Sequence, residues 1–411
     1  MNSYLLLLRE KMKKDISFII QYALFFYSLF SIISITISEI FFIASIFLSI
    51  IDIIKNKKDI KNYLRNPLII PIFAFILIHF LSAIFGISPE NSLKDVRKVY
   101  LFIMFFLTFY YLNNSEKIRM SLNFFAAGAG FVGLYAIITS IYFKYIKGIS
   151  DFRASSFSGN HMHAGGMLMI ALIIIFTLFV YSIKNNETKF KKAFYFVILI
   201  LVFFGLLFTY TRSSYIAGFI GILIILFFVH KKWLIFGLVG TLIVFVLTIN
   251  TSFSQRLIRT YTSFSGDSGK ERILMWQSGL KIIKDYPIFG IGTANLDKIY
   301  PKYINPEAKE KNQGHLHNNI LQIAVIDGIP GLVIFLWIFS VIFTNLFKFY
   351  TVSEEIFQKY FLLSLFSVSV AFFINGLFEY NFFSSQVVLL FWFLMGIGFG
   401  IGKVLCDDKK N

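Results

Sequence analysis

Long apolar stretches separated by short polar connections dominate the chain. About twelve of them approach twenty residues, the length at which an α-helix crosses the hydrocarbon core of a bilayer. They lie near residues 16–34, 37–54, 67–86, 99–113, 119–141, 164–183, 193–211, 213–230, 233–250, 318–347, 359–377 and 384–404. Gly328 and Pro330 interrupt the tenth stretch, which we therefore expect to divide into a short helix and a spanning helix. The pattern predicts an all-α, polytopic membrane protein.

The composition agrees with a membrane location. Apolar residues make up 57% of the 411 residues and charged residues 15%, and the mean hydropathy is +0.73. A soluble domain carries about 25% charged residues, so a soluble fold is excluded. The net charge of +17 does not indicate nucleic-acid binding, because lysines and arginines concentrate in alternate connections. By the positive-inside rule, this bias predicts that both termini are cytoplasmic.

The apolar runs divide the chain into three parts of one integral membrane domain. Residues 1–250 hold transmembrane helices 1–9, residues 251–317 form one long periplasmic loop, and residues 318–411 hold helices 10–12 and a cytoplasmic tail. Cys406 is the single cysteine, so no disulfide can form within the chain and the loop must be held by packing.

The middle of the long loop has the spacing of a basic amphipathic helix. This helix runs from Lys270 to Asp285 and is closed by Pro287. Its simplest role is to lie on lipid headgroups with its cations facing anionic lipid. Gly290 and Gly292 follow in a permissive turn, and a lone Gly-x-Gly is weak evidence for nucleotide binding.

The six histidines are distributed unevenly. His79 and His230 lie in or beside apolar runs and are interpreted as structural residues. The other four, His161, His163, His315 and His317, all map to the outer face. Four imidazoles could bind a transition metal, but metal sites need a geometry that a sequence does not establish. His317, where the loop re-enters an apolar helix, is suited to act as a general base.

Arg212 lies between two apolar runs with almost no connecting loop. It could snorkel to the interface from a helix end. Alternatively, it could point into a cavity and bind phosphate, because its planar guanidinium makes paired, charge-assisted hydrogen bonds. Both interpretations remain open from the sequence.

Residues 151–163 form a second polar segment on the outer face, and they include Arg153. Its His161-x-His163 pair is similar to His315-x-His317. Gly159 and Asn160 could instead form a turn that leads into a helix.

These residues are consistent with chemistry on a pre-activated donor. An enzyme on the outer face of a bacterial inner membrane has no ATP, so a polyprenyl-diphosphate-linked sugar fits. Its leaving group needs positive charge, which Arg212 and Arg272 can supply. The attacking alcohol needs a base, which His317 can supply.

The same residues resemble the O-antigen ligase and polymerase superfamily. The similar pieces are Thr209-x-Thr211-Arg212, Arg272 to Trp276 followed by Asp285 to Gly292, and His317-Asn318 with Gly328 and Gly331 beyond nine residues. The third piece is the most specific and points toward the ligases. The resemblance implies a GT-C-like membrane glycosyltransferase of twelve helices, acting in the bacterial inner membrane with its site facing the periplasm.

The resemblance also implies roles for particular residues. His317 would act as the base, and Arg212 and Arg272 would bind the diphosphate, without a metal or other cofactor. The donor would be an undecaprenyl-diphosphate glycan, the acceptor the lipid A core, and the reaction an inverting displacement. Further candidate site residues are Arg153, His161, His163, His315, Asn318 and Trp276.

Several alternatives stay open at this point. O-antigen polymerases and protein O-oligosaccharyltransferases share much of the pattern. A transporter or flippase is the alternative of another class, although no internal repeat or paired broken helices indicate one. A metal-dependent hydrolase built on the four histidines is the third. No nucleic-acid partner is expected, membrane lipids are, and the oligomeric state is left open.

Overall fold

The computed structural model describes residues 2–149, 152–157, 159–229 and 267–408, with side chains from residue 16 in the first helix and from residue 269 in the helix that begins at Asp267. Those residues are helical or irregular, with no strand in the described ranges. In chain order the α-helices are α1 (Asn2–Phe30), α2 (Ile35–Asn56), α3 (Lys61–Leu64), α4 (Ile69–Phe85), α5 (Pro89–Val96), α6 (Ile103–Tyr111), α7 (Ser115–Ile141), α8 (His161–Lys184), α9 (Lys189–Phe208), α10 (Arg212–Val229), α11 (Asp267–Asp285), α12 (Leu296–Tyr303), α13 (Asn319–Val352), α14 (Ile356–Asn375) and α15 (Ser385–Asp408).

Eight of the described helices are long and apolar enough to cross a membrane. Two shorter apolar helices, Ile16–Phe30 and Ile69–Phe85, add to this set. The expected count of about twelve spans is therefore not reached within the described residues. The predicted run 99–113 is one reason, because a 3₁₀ turn (Arg97–Phe102) precedes only nine residues of α6. The predicted run 233–250, His230 and the start of the long loop lie outside the described residues.

Helices α8 and α15 form the centre of the bundle. The apolar window of α15 is 89% buried and that of α8 is 78% buried, whereas α2 and α9 are 28% buried and expose broad apolar faces. A helix that is apolar on all sides is expected at a core, and one with an outward apolar face is expected to contact lipid. Trp392 on α15 is among the largest fully buried side chains. This arrangement supports a multi-pass membrane protein.

The polar residues discussed below lie at the two ends of the bundle. The site end holds the start of α8, the α9–α10 turn, the start of α13 and the α14–α15 connection. Backbone hydrogen bonds join these segments, from Ala154 N to Phe208 O (2.9 Å) and from Asn319 N to Gly376 O (2.7 Å). The opposite end holds the ends of α2, α6 and α15 and the start of α7.

The predicted interruption of the tenth apolar run is confirmed. Gly328 has φ 71° and ψ −175° inside α13, so the helix divides there into a short and a long part. A left-handed φ of this kind is readily adopted only by glycine. The carbonyls of Val325 and Ile326 are thereby released from the helix ladder.

A loop segment occupies the break in α13. Ile291 N donates to Val325 O (2.9 Å) and Gly292 N donates to Ile326 O (3.0 Å). Gly290 also has a left-handed φ of 65°, and a Cβ there would overlap the Ile326 carbonyl. Likewise, a Cβ at Gly328 would overlap the Ile288 carbonyl. The glycines thus permit two backbones to cross, and no nucleotide role is needed to explain them.

Helix α11 confirms the predicted amphipathic helix and its end before Pro287. Its buried side is not spread over lipid, however. Met275 and Ile282 pack with Ile299, Tyr300 and Leu316 in a second, smaller core. The helix is therefore packed against the loop and α13 through its apolar side.

Candidate functional site

Asn318 marks the point where the loop enters α13. Its side-chain oxygen accepts a hydrogen bond from Leu321 N (3.0 Å), which makes Asn318 the N-cap of the helix. Its amide nitrogen donates to Leu377 O in the α14–α15 connection (2.9 Å). Asn318 therefore positions the loop and joins two helix ends.

Leu316 fixes the two neighbouring histidines. Its side chain is fully buried, and its N–H donates to Gln322 Oε1 (2.7 Å). Its carbonyl accepts a hydrogen bond from Trp276 Nε1 (3.0 Å). With Leu316 turned inward, His315 and His317 lie on one side, and their ring centroids are 4.2 Å apart. His317 has a left-handed φ of 48°, uncommon for a residue with a side chain.

Glu379 faces both histidines from the α14–α15 connection. His317 Nδ1 lies 3.3 Å from Glu379 Oε2, and His315 Nε2 lies 3.9 Å from Glu379 Oε1. The side chains of His317 and Glu379 are 20% and 11% exposed, so the pair is shielded but reachable. A carboxylate at Nδ1 favours the tautomer that leaves Nε2 as proton acceptor.

Burial and neighbouring charges set the ionisation of this cluster. Burial opposes ionisation of Glu379, but the hydrogen bond from His317 and the positive charges of His317, His315 and Arg272 outweigh it and lower the pKa of Glu379. Burial lowers the pKa of His315, and repulsion by His317 lowers it further. These effects favour the anionic form of Glu379 and oppose protonation of His315.

Three arginines lie at the same end of the bundle as the histidine–glutamate cluster. Arg272 projects from α11 and is half-buried; burial lowers its pKa, and attraction to Glu379 partly offsets that effect. Arg212 begins α10 and lies within electrostatic range of Arg153 and Arg272. Arg153 Nη1 lies 3.2 Å from His161 Nε2. The cations come from three separate segments.

Hydrogen bonds hold the start of α10 beside the start of α8. Thr211 Oγ1 donates to the carbonyl of His161 (3.2 Å). Asn160 caps α8, and its side-chain oxygen accepts hydrogen bonds from Met162 N (2.8 Å) and His163 N (3.2 Å). This confirms the expectation that Gly159 and Asn160 lead into a helix. It also places the His161–His163 pair within electrostatic range of Glu379.

Buried asparagines join the two halves of the site. Asn381 Nδ2 donates to Asn375 Oδ1 (2.9 Å), and Asn375 Nδ2 donates to the hydroxyls of Ser213 (3.2 Å) and Ser214 (3.1 Å). Asn319 Nδ2 donates to Asn381 Oδ1 (2.6 Å). The residues after His317 are therefore coupled to the residues after Arg212 through a buried polar network.

One group of residues has the composition of a metal site. His315, His317 and Glu379 each offer one ligand atom, and these atoms lie within 4.8 Å of one another. The guanidinium group of Arg272 acts electrostatically on His315 and Glu379 and would repel a divalent cation. The summed field of the site therefore favours an anion as its ligand.

The structure brings all of the sequence-predicted candidate residues to the same end of the bundle. Asn318 and Trp276 support the loop, and the four histidines and Arg272 interact electrostatically with Glu379. Arg212 interacts with Arg153 and Arg272. Sequence reasoning missed Glu379, although it lies in a predicted outer connection where a buried carboxylate is rare. Sorting acidic residues by side, as was done for histidines, would have found it.

His79, interpreted from the sequence as structural, has a carboxylate partner as well. His79 Nδ1 lies 2.9 Å from Asp327 Oδ1, and the two side chains are 2% and 1% exposed. The pair sits immediately before the Gly328 break. It is sealed from the cluster that contains His317.

The fold and site define a multi-pass helical membrane protein with a polar, anion-attracting site at one end. A family model described as O-antigen ligase matches residues 196–336, which include Arg212, Arg272 and His317. A Rickettsia typhi protein provisionally named as a polysaccharide ligase is 26% identical over 363 residues, which cover 82% of this chain and 79% of that protein. These matches show that residues 196–336 are similar to the O-antigen ligase family and that most of the chain is similar to a polysaccharide ligase.

Proposed function

We propose that this protein transfers a glycan from undecaprenyl diphosphate to the lipid A core at the periplasmic face of the bacterial inner membrane. Similarity to the O-antigen ligase family supports a lipid-linked glycan and an acceptor as substrates. The observation that carries the proposal is the His317–Glu379 pair with Arg272 beside it, at the end of the bundle where Arg212 and Arg153 also lie. Such a site can bind a diphosphate and accept a proton within one small volume.

In the proposed reaction, the acceptor hydroxyl oxygen attacks the anomeric carbon of the donor sugar. The bond from that carbon to the diphosphate oxygen breaks, and the diphosphate leaves with both electrons of that bond. Its negative charge is stabilised by Arg212 and Arg272. The hydroxyl proton passes to Nε2 of His317, and attack from the opposite face inverts the anomeric centre.

Glu379 is proposed as a positioning residue for this step. It accepts a hydrogen bond from Nδ1–H of His317, so that Nε2 faces the acceptor. Its anionic charge also stabilises the imidazolium that forms when His317 takes the proton. No metal is required in this scheme, because the guanidinium groups provide the positive charge.

A reconstitution tests the proposal. Purified protein is mixed with undecaprenyl-diphosphate glycan and rough lipopolysaccharide, with a chelator and without nucleotide. We expect a product that carries both lipid A and glycan. Longer glycan still linked to the polyprenyl carrier would instead identify a polymerase. Glycan attached to an added pilin would identify a protein glycosyltransferase.

A matched variant separates chemistry from folding in this assay. Lys311→Ala, in an exposed part of the loop, is expected to retain transfer, whereas His317→Ala is expected to lose it. Absence of every glycosylated product with a monodisperse protein would overturn the proposal. Movement of the lipid-linked glycan across vesicles without transfer would then favour the flippase alternative.

A further inference from the structure

A polar cavity lies at the opposite end of the bundle from the histidine–arginine site. Its volume is about 480 Å³, within the range of small-molecule sites, and α1, α6, α7 and α15 contribute to its walls. Three lysines line it: Lys58 after α2, Lys117 on α7 and Lys403 on α15. We call this space the lysine cavity.

One wall of the lysine cavity is built around a buried carboxylate. Asp52 is fully buried and accepts hydrogen bonds from Lys58 Nζ (2.5 Å), Tyr111 OH (2.6 Å) and Asn56 Nδ2 (2.5 Å). Tyr111 OH also lies 2.9 Å from Tyr63 OH. A buried network with several partners is rigid, so this wall holds Lys58 in a fixed position.

Lys403 is also held in place, and Lys58 has a second contact. Lys403 Nζ donates to the carbonyl of Asn62 (3.2 Å) and lies 5.6 Å from the centroid of the Phe109 ring. Lys58 Nζ lies 5.0 Å from the centroid of the Tyr110 ring. Pre-positioned ammonium groups bind an anion with little loss of conformational entropy.

The charges of the lysine cavity identify the class of anion. Three lysines stand against two carboxylates, Asp52 behind the wall and Asp407 at the lining, so one positive charge is left over. A phosphate diester carries one negative charge and accepts several hydrogen bonds, for which lysine is a suitable partner. Asn113 and Gln21 add amide donors at the lining.

We propose that the lysine cavity binds the phosphate of an anionic membrane lipid headgroup. Its walls are the ends of apolar helices, where headgroups lie in a bilayer. Basic pockets between transmembrane helices on the cytoplasmic side are suited to such lipids. The ligand is separate from the donor and acceptor of the transfer reaction, and its site lies across the bundle from His317.

The experiment is native mass spectrometry of the full chain, titrated with short-chain phosphatidylglycerol, phosphatidylcholine or inorganic phosphate. The test variant is Lys117→Gln/Lys403→Gln, which leaves the Asp52–Lys58 pair intact. The control variant is Lys184→Gln/Lys189→Gln, with the same charge change at exposed positions of the same end. Thermal melting of all three proteins checks that they are folded.

We expect one phosphatidylglycerol to bind the unchanged chain at least about 10-fold more tightly than phosphatidylcholine. The excess positive charge of the lysine cavity attracts a headgroup that carries a net negative charge. The test variant should lose this preference, and the control variant should keep it. Inorganic phosphate that competes fully with the lipid would instead indicate a soluble phosphate ligand. Equal retention of phosphatidylglycerol by the test variant and the control would overturn the proposal.

Discussion

Two histidine–carboxylate pairs in this protein use the same contact in opposite surroundings. His79 and Asp327 are almost completely buried. The His79 ring stacks with the rings of Phe75 and Phe383, whose centroids lie 6.1 and 5.2 Å from its own. His317 and Glu379 keep 20% and 11% of their side-chain surface exposed, and the positive charge of Arg272 acts on Glu379. The pairing alone therefore does not mark a functional histidine. Access and the charge of the neighbours do.

The largest expected effect comes from removing the reachable histidine. His317→Ala should reduce glycan transfer below detection, at least about a 10³-fold loss, because the proton acceptor is absent. The measurement is product formation in the reconstituted assay. Thermal melting should change little, because His317 is partly exposed. General acid–base catalysis contributes about 10²–10⁴-fold to a rate, so transfer within about 10-fold of the unchanged protein would refute the assignment of His317 as the base.

Breaking the sealed pair should damage the fold instead. His79→Ala leaves Asp327 buried without its partner, which costs about 3–5 kcal/mol of stability. We expect a clear drop in melting temperature and in the yield of monodisperse protein. The double variant His79→Ala/Asp327→Ala should recover part of this loss, since no carboxylate is then left unpaired. Equal melting temperatures for His79→Ala and His317→Ala would contradict the structural role assigned to the His79–Asp327 pair.

The arginines sharpen the comparison, because they distinguish the surroundings of the two pairs. Arg212→Lys and Arg272→Lys keep the charge but lose the forked geometry. Each should lower the turnover number by about 10²–10³-fold if the guanidinium stabilises the departing diphosphate. Near-normal turnover in both variants would leave Arg212 as a snorkelling residue. Lys281→Arg, at an exposed position of α11, is the matched control, because it also exchanges one cation for another.

Glu379→Gln tests the carboxylate of the reachable pair. Glutamine occupies nearly the same volume but does not stabilise an imidazolium. We expect a loss of about 10–100-fold in transfer, as for other partners that orient a reactive histidine. KM for the donor should change less than the turnover number, because Glu379 is proposed to act through His317. An unchanged turnover number would show that Glu379 has only a structural role.

The smallest expected effect is a pH dependence of stability. The pKa of Glu379 is lowered in the folded protein from its usual value of 4.5. As the pH falls, Glu379 therefore takes up a proton at a higher pH in the unfolded chain than in the folded protein. The contribution of the Glu379 carboxylate to stability is present above about pH 4.5 and is lost as the pH falls through its pKa in the folded protein. The difference in melting temperature between the unchanged protein and Glu379→Gln should shrink across that interval. A constant difference from pH 7 to pH 3 would contradict this assignment.

Local features of the fold could be predicted from the sequence. The end of α11 before Pro287, the helix start after Asn160 and the break at Gly328 each follow from a few neighbouring residues. Proline and glycine act on the backbone directly, and a capping side chain bonds within three residues. Such signals need no knowledge of tertiary contacts.

The pairing of residues could not be predicted in the same way. Glu379 meets His317 across 62 positions, and Asp327 meets His79 across 248. No periodicity links such positions, because the contacts depend on how helices pack. The histidines and arginines could be grouped as candidates because the predicted topology places them on the same side of the membrane. Which carboxylate each histidine would meet was not determined by that argument.

The contacts between the start of α13 and the α14–α15 connection also determine when the site can form during synthesis. His317 depends on Glu379, and Asn319 depends on Asn381, both of which follow almost the whole chain. A nascent chain that has inserted as far as α13 holds His317 and all three arginines, but it lacks Glu379 and Asn381. The ribosome must therefore deliver the α14–α15 connection before the constellation is assembled. Products truncated before the α14–α15 connection should consequently lack the assembled site and, under the proposed function, be inert toward lipid-linked sugar.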